Sequence, residues 1–146
     1  MSDYRWKTCR FARFGLTEYT IPNDVTSIGN STFYSCNNLT SITIPDSVTK
    51  IEDFSFYVCS KLTSITIPDR ITWIGERAFA NCSSLTSIYC PSTTPPTLSG
   101  DVFSNISSTA KIYVPTASVD AYKSAENWSS YASIITGYDF NEQSNE

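Results

Sequence analysis

The cysteines are the residues whose type and spacing most readily suggest chemistry. Cys36, Cys59 and Cys82 follow one another at equal intervals. Thiolates bind zinc and carry redox reactions, but zinc sites draw their ligands from short loops, and the chain has neither a histidine nor a Cys-x-x-Cys pair. The spacing therefore predicts a buried column of free, small side chains, and Cys90 fills a core position as well. Cys9 stands apart, and its pairing with Cys36 in a disulfide is an open alternative.

Two carboxylates occupy equivalent positions in the sequence. Asp46 and Asp69 each follow a proline directly. Paired carboxylates can perform acid–base chemistry on sugars, but aspartate is also a common turn residue and this placement implies no pocket. Since the chain has no histidine, Ser-His-Asp and Cys-His catalysis and imidazole metal sites are excluded. We expect a protein that is not an enzyme, with no catalytic residues, no cofactor and no metal site.

Composition and charge exclude further classes of function. The chain of 146 residues carries a net charge of −4 and has an isoelectric point near 4.7. A protein that binds the phosphate backbone of nucleic acids needs a basic surface instead. No apolar run approaches the ~20 residues of a membrane span, and the first residues lack the apolar segment of a secretory signal. We therefore expect neither nucleic-acid binding nor membrane insertion.

A 23-residue internal repeat organises the middle of the chain. Leu39–Asp46, with the sequence LTSITIPD, recurs as Leu62–Asp69, and related copies begin at Leu16 and Leu85. The rest of the unit repeats as well, without an insertion over three consecutive units. The columns outside the shared octapeptide are Val25/Val48/Ile71, Ile28/Ile51/Ile74, Phe33/Phe56/Phe79 and Cys36/Cys59/Cys82.

Each repeat unit predicts a short strand followed by a return segment. The apolar residues of Leu-x-x-Ile-x-Ile are typical of a half-buried strand, and the next residue, proline, ends the strand because it has no N–H to donate. The Val and Ile columns then point inward on the opposite side, where we expect turns, and the Phe column anchors the return. One unit cannot bury its own apolar face, so the units must stack, with strands about 4.8 Å apart in one parallel sheet.

The pattern Leu-Thr-Ser-Ile-x-Ile-Pro-x-x-Val-x-x-Ile-Gly-x-x-x-Phe-x-x-Cys resembles the BspA-like leucine-rich repeat of bacterial surface proteins. The resemblance covers residues 16–105. It implies an α/β leucine-rich-repeat solenoid that is β-rich and right-handed, with a short parallel sheet and a helix-containing C-terminal cap. Two features depart from the pattern. Glu52 replaces the usual glycine, and the fourth unit loses the Val and Ile columns and has Phe103 without a following cysteine.

The limits of the repeat region, residues 16 and 105, divide the chain into three parts. Residues 1–15 are predicted to be an N-terminal cap, because the end of a solenoid must be capped. Their aromatic and basic side chains also suit a nucleic-acid or glycan site, which is the alternative interpretation. Residues 106–146 are a C-terminal cap, with a strand at Lys111–Pro115 and a short helix at Thr116–Ala125, followed by a polar tail from Asn141. The repeats between the caps are 16–38, 39–61, 62–84 and the degenerate 85–105.

The outward positions of the strands are the candidate ligand-binding residues. The third and fifth places of each Leu-x-x-Ile-x-Ile strand point away from the core, and they form two polar rows on one face of the sheet. Sheet faces of solenoids are common binding surfaces, but such a face can also be merely solvated or can order water. Tyr89, with Tyr113 beside it, is the expected anchor. The candidates are Glu18, Thr20, Ser41, Thr43, Ser64, Thr66, Ser87 and Tyr89.

The expected function follows from the family resemblance and not from the spacing of the residues. The resemblance implies a non-enzymatic protein-interaction module of a bacterial surface or secreted protein, which adheres to host or neighbouring-cell proteins such as extracellular-matrix or cell-surface proteins. Because the first residues carry no secretory signal, two alternatives stay open: the chain is a piece of a longer exported protein, or it stays inside the cell. A second hypothesis is a structural spacer or capping segment within a longer repeat protein. This hypothesis would also explain the lack of a signal sequence. A third is a carbohydrate-binding module in which Tyr89, Tyr113 and Trp128 supply stacking platforms.

Overall fold

The computed structural model describes residues 3–4 and 15–143, and the side chains of residues 15–141. The predictions for Cys9 and for the aromatic and basic residues of the N-terminal cap lie outside these residues, as does the end of the polar tail, 144–146. Within the described chain, all strand pairs are parallel.

Two series of short strands alternate along the chain and lie on opposite sides of the molecule. We call them the front and back strands. The front strands are β2 Glu18–Thr20, β4 Ser41–Thr43, β6 Ser64–Thr66, β8 Ser87–Tyr89, β10 Lys111–Pro115 and β11 Ile135–Tyr138. The back strands are β1 Asp3–Tyr4, β3 Ser27–Ile28, β5 Lys50–Ile51, β7 Trp73–Ile74 and β9 Thr97–Leu98.

The columns of the repeat form one continuous core between the two series. Phe33, Phe56, Phe79 and Phe103 are buried and stack in order, with ring centroids 5.1, 5.0 and 5.7 Å apart and interplanar angles of 6°, 3° and 13°. These separations are close to the strand spacing of a sheet, so each ring lies over its equivalent in the next coil. The valine, leucine and isoleucine columns are buried in the same way, except that Leu16 at the start of the first unit is exposed. The predicted leucine-rich-repeat solenoid is confirmed.

A back sheet is present where the sequence led us to expect turns. Its five strands are hydrogen-bonded in the order β1-β3-β5-β7-β9. The backbone N–H of Thr49 donates to Thr26 O at 2.8 Å, and the N–H groups of Thr72 and Thr97 donate to the preceding coil at 2.9 Å. The segments on the back of successive coils are extended and stack at the same spacing as the front strands. Their backbone N–H and C=O groups therefore form hydrogen bonds with those of the next coil.

The front sheet is divided between β4 and β6. One part is the pair β2-β4, and the other has the order β11-β10-β8-β6. The residue after a front strand usually donates across to the next coil, as Ile21 N does to Thr43 O at 3.0 Å and Ile67 N to Tyr89 O at 2.8 Å. Among the described residues, no such bond joins Ile44 to the coil of β6. The expectation of one continuous sheet is therefore wrong at this point.

Each coil turns at corners whose residues have a left-handed backbone without being glycine. At these corners the N–H of Phe54 donates to Glu76 O at 2.9 Å, and that of Val58 donates to Ala80 O at 3.0 Å. These bonds between coils offset the conformational cost of the left-handed backbone. The corner residues are Ser31, Phe54, Arg77 and Asp101, with φ from 49° to 60°, and Ser35, Val58, Asn81 and Asn105, with φ from 58° to 63°.

The fourth unit contains one inserted residue, and this restores the isoleucine column that the sequence pattern had lost. Leu98 lies one position later than the repeat period would place it after Ile74, yet it pairs with Ile74 in the back sheet and is buried. Phe103 follows Phe79 by the same lengthened interval and stacks on it. A search at the fixed period of the earlier units misses this position because the register shifts by one.

A helix follows β10, as the sequence predicts. A 3₁₀ turn at Thr116–Ser118 leads into the helix α1, Val119–Ser124. Its residue Tyr122 is fully buried and donates its hydroxyl to Ser92 O at 2.8 Å. Ser118, the N-cap residue of α1, makes no side-chain capping bond to the helix and donates its hydroxyl to Thr93 O at 3.1 Å. The helix is therefore tied to the fourth coil by its side chains.

The chain ends, as far as it is described, in a second short helix. This helix, α2, spans Phe140–Gln143 and follows β11 after a single residue. The Asn141 N–H donates to the carboxylate of that intervening residue, Asp139, at 3.0 Å. The polar tail predicted from Asn141 is thus helical at its start.

Candidate functional site

The outward positions of the front strands lie in two rows that cross the coils. The residues of β2, β4 and β6 in these rows are exposed, whereas Ser87 and Tyr89 on β8 are half-buried. The structure thus places all eight candidate residues on one surface and adds two from β10. The first row is Glu18, Ser41, Ser64, Ser87 and Lys111, and the second is Thr20, Thr43, Thr66, Tyr89 and Tyr113.

Aromatic side chains gather at the C-terminal end of this surface. Tyr89 and Tyr113 stack with ring centroids 5.0 Å apart, and Tyr138 contacts both rings at 5.4 and 5.3 Å. Phe140 packs edge-on against Tyr138 at 4.8 Å. All four rings are half-buried. We call Tyr89, Tyr113, Tyr138 and Phe140 the tyrosine cluster, and it is a rigid group because each ring packs on another.

Sequence reasoning identified Tyr89 and Tyr113 but missed Tyr138 and Phe140. A signal for Tyr138 was available, since Ile135 follows Ile112 by one full repeat period and the two residues pair in register. Extending the repeat period past β10 would have predicted β11 as one more front strand, with Tyr138 at its end. Phe140 had no such signal, because it lies beyond the strand.

The carbohydrate-stacking prediction is wrong for Trp128. Its side chain is fully buried, and its indole N–H donates to Pro96 O at 2.7 Å. Trp128 packs edge-on against Tyr122 with centroids 4.9 Å apart, so it is part of the core beneath α1. In the tyrosine cluster, the stacking of Tyr89 and Tyr113 covers ring faces that a sugar would need.

A cavity of about 340 Å³ opens where the front sheet is divided. Asp46 and Asp69 line it together with Thr66. In the described part of the chain, the ion pairs join Lys50 to Glu52 and Arg77 to Asp101, so neither Asp46 nor Asp69 takes part in one. We call this the acidic cavity, and its full lining is Ile42, Thr43, Ile44, Asp46, Thr66, Pro68, Asp69 and Pro91.

The free cysteines Cys59, Cys82 and Cys90 are core residues. The Cys59 and Cys82 thiols donate to the carbonyl oxygens of Phe33 and Phe56, each at 3.1 Å. The hydrogen bond with Cys82, together with burial, raises the pKa of the Cys59 thiol, and burial raises the pKa of the Cys90 thiol. A raised pKa keeps a thiol protonated at neutral pH, and the thiolate is the form that acts as nucleophile or metal ligand.

Cys36 differs from the predicted column of free thiols because it is disulfide-bonded. Cys59, Cys82 and Cys90 are free and buried. Within the residues that the structure describes, no group of three or more histidine, cysteine, aspartate or glutamate side chains is arranged to hold a metal ion.

The repeat columns and the fold together match a known family. The family model for the BspA type leucine-rich repeat region matches residues 7–131 in six copies. The chain belongs to the BspA-type leucine-rich repeat family. The matched region includes β10 and α1 in addition to the earlier coils. No curated protein matches the chain.

Solved structures of bacterial repeat proteins are similar to this BspA-type chain. A leucine-rich cell surface protein from Faecalibacterium prausnitzii A2-165 is 42% identical over 56% of the chain, with a TM-score of 0.52 and 21% of that protein covered. A leucine-rich repeat protein from Eubacterium ventriosum ATCC 27560 is 29% identical over 68% of the chain, with a TM-score of 0.55 and 26% covered. The chain therefore spans about a fifth to a quarter of these two proteins.

The pneumococcal vaccine antigen PcpA shares the fold. It is 17% identical over 84% of the chain, with a TM-score of 0.54 and 42% of that protein covered. At this identity the similarity shows the leucine-rich-repeat architecture alone.

The BspA-type pattern accounts for the buried columns but not for the tyrosine cluster. Tyr89 stands at the open position of Leu-Thr-Ser-Ile-x-Ile, where the preceding coils have Thr43 and Thr66. The aromatic group at the C-terminal end of the front surface is therefore the feature that the repeat pattern does not explain. No helix among the described residues is long and apolar enough to cross a bilayer.

Proposed function

We propose that this BspA-type chain is a non-enzymatic module that binds a protein partner through its front surface, and that it is displayed at the bacterial cell surface. The observation that carries the proposal is the register of β6, β8, β10 and β11. It aligns exposed hydroxyls with the tyrosine cluster on one face. The similarity to the F. prausnitzii cell surface protein supports the location.

The two parts of this surface make different contributions to binding. Ser64 and Thr66 offer short hydroxyl side chains that lose little rotamer entropy on contact. Tyrosine is one of the residue types that dominate binding energy in protein interfaces, and the rings of the tyrosine cluster are already held in place by one another. A partner would therefore gain most of its affinity near Tyr89 and its specificity from the hydroxyl rows. The proposed class of partner is a host extracellular-matrix or cell-surface protein.

The test is binding of the purified chain to a panel of immobilised matrix proteins and glycans at physiological salt. We expect saturable binding to a protein that is lost when Thr66→Asp and Tyr89→Asp are combined, because charge then replaces a neutral contact surface. Thr97→Asp is the matched control, since Thr97 is exposed on the back sheet. Unchanged binding by the front-surface variant, or equal loss in the control, would contradict the assignment of this surface.

A spacer role is the second candidate function, and the coverage of the related structures favours it. The chain corresponds to only 21% and 26% of the first two solved proteins, so such coils also serve as parts of longer arrays. The same panel separates the two functions. If the chain is a spacer, it binds no protein or glycan of the panel, and its front-surface variants behave like the parent chain.

A further inference from the structure

A second cavity lies next to the acidic cavity, beside the tyrosine cluster. The second cavity has a volume of about 380 Å³ and is lined by Pro91, Thr93, Pro115, Thr116, Tyr138, Asp139, Phe140 and Asn141. Pro91 lines both cavities, so the two are adjacent. We call the two adjacent cavities together the carboxyl-end trough, because their walls are mostly residues at the carboxyl ends of the front strands.

The trough crosses the strands along the axis of the solenoid. It begins at the end of β4 and passes Pro68, Pro91 and Pro115 before it reaches Tyr138 on β11. Four strand-to-strand steps of about 4.8 Å give a length of about 19 Å. An extended peptide of about six residues has this length, at about 3.3 Å per residue. Pro68, Pro91 and Pro115 supply rigid apolar walls at the ends of the three middle strands, β6, β8 and β10.

The charges of the trough have one sign. Asp46 and Asp69 lie at one end and Asp139 at the other, and no lysine or arginine among the described residues lines either cavity. Arg70 directly follows Asp69 in the chain but lines neither cavity, and Lys111 on the adjoining front strand is at the opposite end of β10 from Pro115. The trough therefore favours a cationic occupant.

The division of the front sheet adds backbone hydrogen-bonding groups at the acidic end. Ile42 and Ile44 line the acidic cavity and are each 6% exposed, whereas the equivalent Ile65 and Ile67 are 2% and 1% exposed. In the described chain β4 and β6 do not form a ladder, so backbone groups that are paired between other coils lie at the wall of this cavity. An extended peptide carries complementary N–H and C=O groups, which a glycan or an isolated cation lacks.

We propose that the carboxyl-end trough binds an extended peptide segment of about six residues that is rich in arginine or lysine and belongs to the protein partner. This inference rests on the proposed protein-binding function. The basic heads pair with Asp46 and Asp69, and the aliphatic stems lie along the prolines. At the other end, the rings of Tyr138 and Phe140 accept a further cation by cation–π attraction beside Asp139.

The probe is a fluorescein-labelled hexapeptide of alternating arginine and serine, and the measurement is fluorescence anisotropy against the full chain. Two matched peptides carry glutamine or glutamate in place of arginine. We expect the arginine peptide to bind, the glutamine peptide to bind at least about fivefold more weakly, and the affinity of the arginine peptide to fall as salt is raised. Equal binding of the arginine and glutamine peptides, a preference for the glutamate peptide, or no binding of any peptide overturns the proposal.

The variant that tests the location combines Asp46→Asn with Asp69→Asn. We expect it to bind the arginine peptide about five- to tenfold more weakly, because each carboxylate contributes one partly screened ion pair. The control combines Glu76→Gln with Asp120→Asn, which changes the net charge equally at exposed sites outside the trough. An equal loss in the control would show a general charge effect and overturn the assignment to the trough.

The outcome for the trough is separable from that of the proposed function. If a matrix protein binds the parent chain and the Asp46→Asn/Asp69→Asn variant equally but fails to bind a Tyr89→Asp variant, whose changed residue lines neither cavity, the front surface stands and the trough fails. If the arginine peptide binds in the trough but no protein of the panel binds the parent chain, the trough stands and the assignment of the front surface fails.

Discussion

At the scale of single residues, the molecule tolerates unfavourable backbone conformations where hydrogen bonds between coils offset them. Val58 is the clearest case, because a β-branched residue at φ 63° is strongly disfavoured. The equivalent corners have Ser35, Asn81 and Asn105, and asparagine enters the left-handed region at lower cost. Asn105 also donates its side-chain amide to the Asn81 side chain at 2.9 Å.

We expect Val58→Asn to raise the free energy of unfolding by about 1 kcal/mol, since it relieves this local cost and places an amide beside Asn81. The measurement is urea denaturation of the variant and the parent chain at room temperature. Val58→Ile is the control, because it keeps the β-branch and should change stability little. A Val58→Asn variant less stable than the parent chain would show that the half-buried valine contributes more by packing than its backbone costs.

At the scale of elements, close approach between successive coils determines which residues are allowed. A Cβ atom added to Gly75 would overlap the backbone nitrogen of Asp53 in the preceding coil. The Asp53 carboxylate also accepts a hydrogen bond from the Glu76 N–H at 2.8 Å, so this backbone cannot move away freely. The glycine of the repeat pattern is thus required here by packing between coils and not by its own backbone angles.

We expect Gly75→Ala to lower the free energy of unfolding by about 1–3 kcal/mol, because the added methyl group forces neighbouring backbone apart. Gly100→Ala is the matched control: a Cβ at Gly100 would meet nothing within 4 Å. Urea denaturation midpoints of the two variants give the comparison. Equal midpoints would mean that the coils can separate at no cost and that the contact does not constrain the stack.

The elements also show how far the sequence could predict the fold and the candidate site. The front strands and the buried columns followed from the repeat period, because each core position repeats its residue type. The back sheet could not be predicted, since two-residue strands leave no pattern of their own. The left-handed corners were equally hidden, because residues such as Phe54 and Val58 occupy them in place of glycine.

At the scale of the whole molecule, stacking converts weak local features into surfaces. One coil offers two outward hydroxyls and a single proline, whereas the stack aligns them into the polar rows and the carboxyl-end trough. Tyr138 joins Tyr89 and Tyr113 only because β11 continues the stack after α1. The alternation within each strand predicted which side chains point outward, as the exposed-buried-exposed pattern of β4 and β6 shows. The aromatic end of the surface depends on β11, a further coil that lies beyond the predicted repeats.

The central claim is that a protein partner binds the front surface with the tyrosine cluster as its anchor. The most direct test is the affinity of one panel protein for the single variants Thr20→Lys, Thr43→Lys, Thr66→Lys and Thr97→Lys. The account predicts a gradient: about tenfold or greater loss for Thr66→Lys beside Tyr89, a smaller loss for Thr43→Lys, and less than about twofold for Thr20→Lys and the back-sheet Thr97→Lys. Equal losses at all four positions, or the largest loss at Thr97, would contradict it.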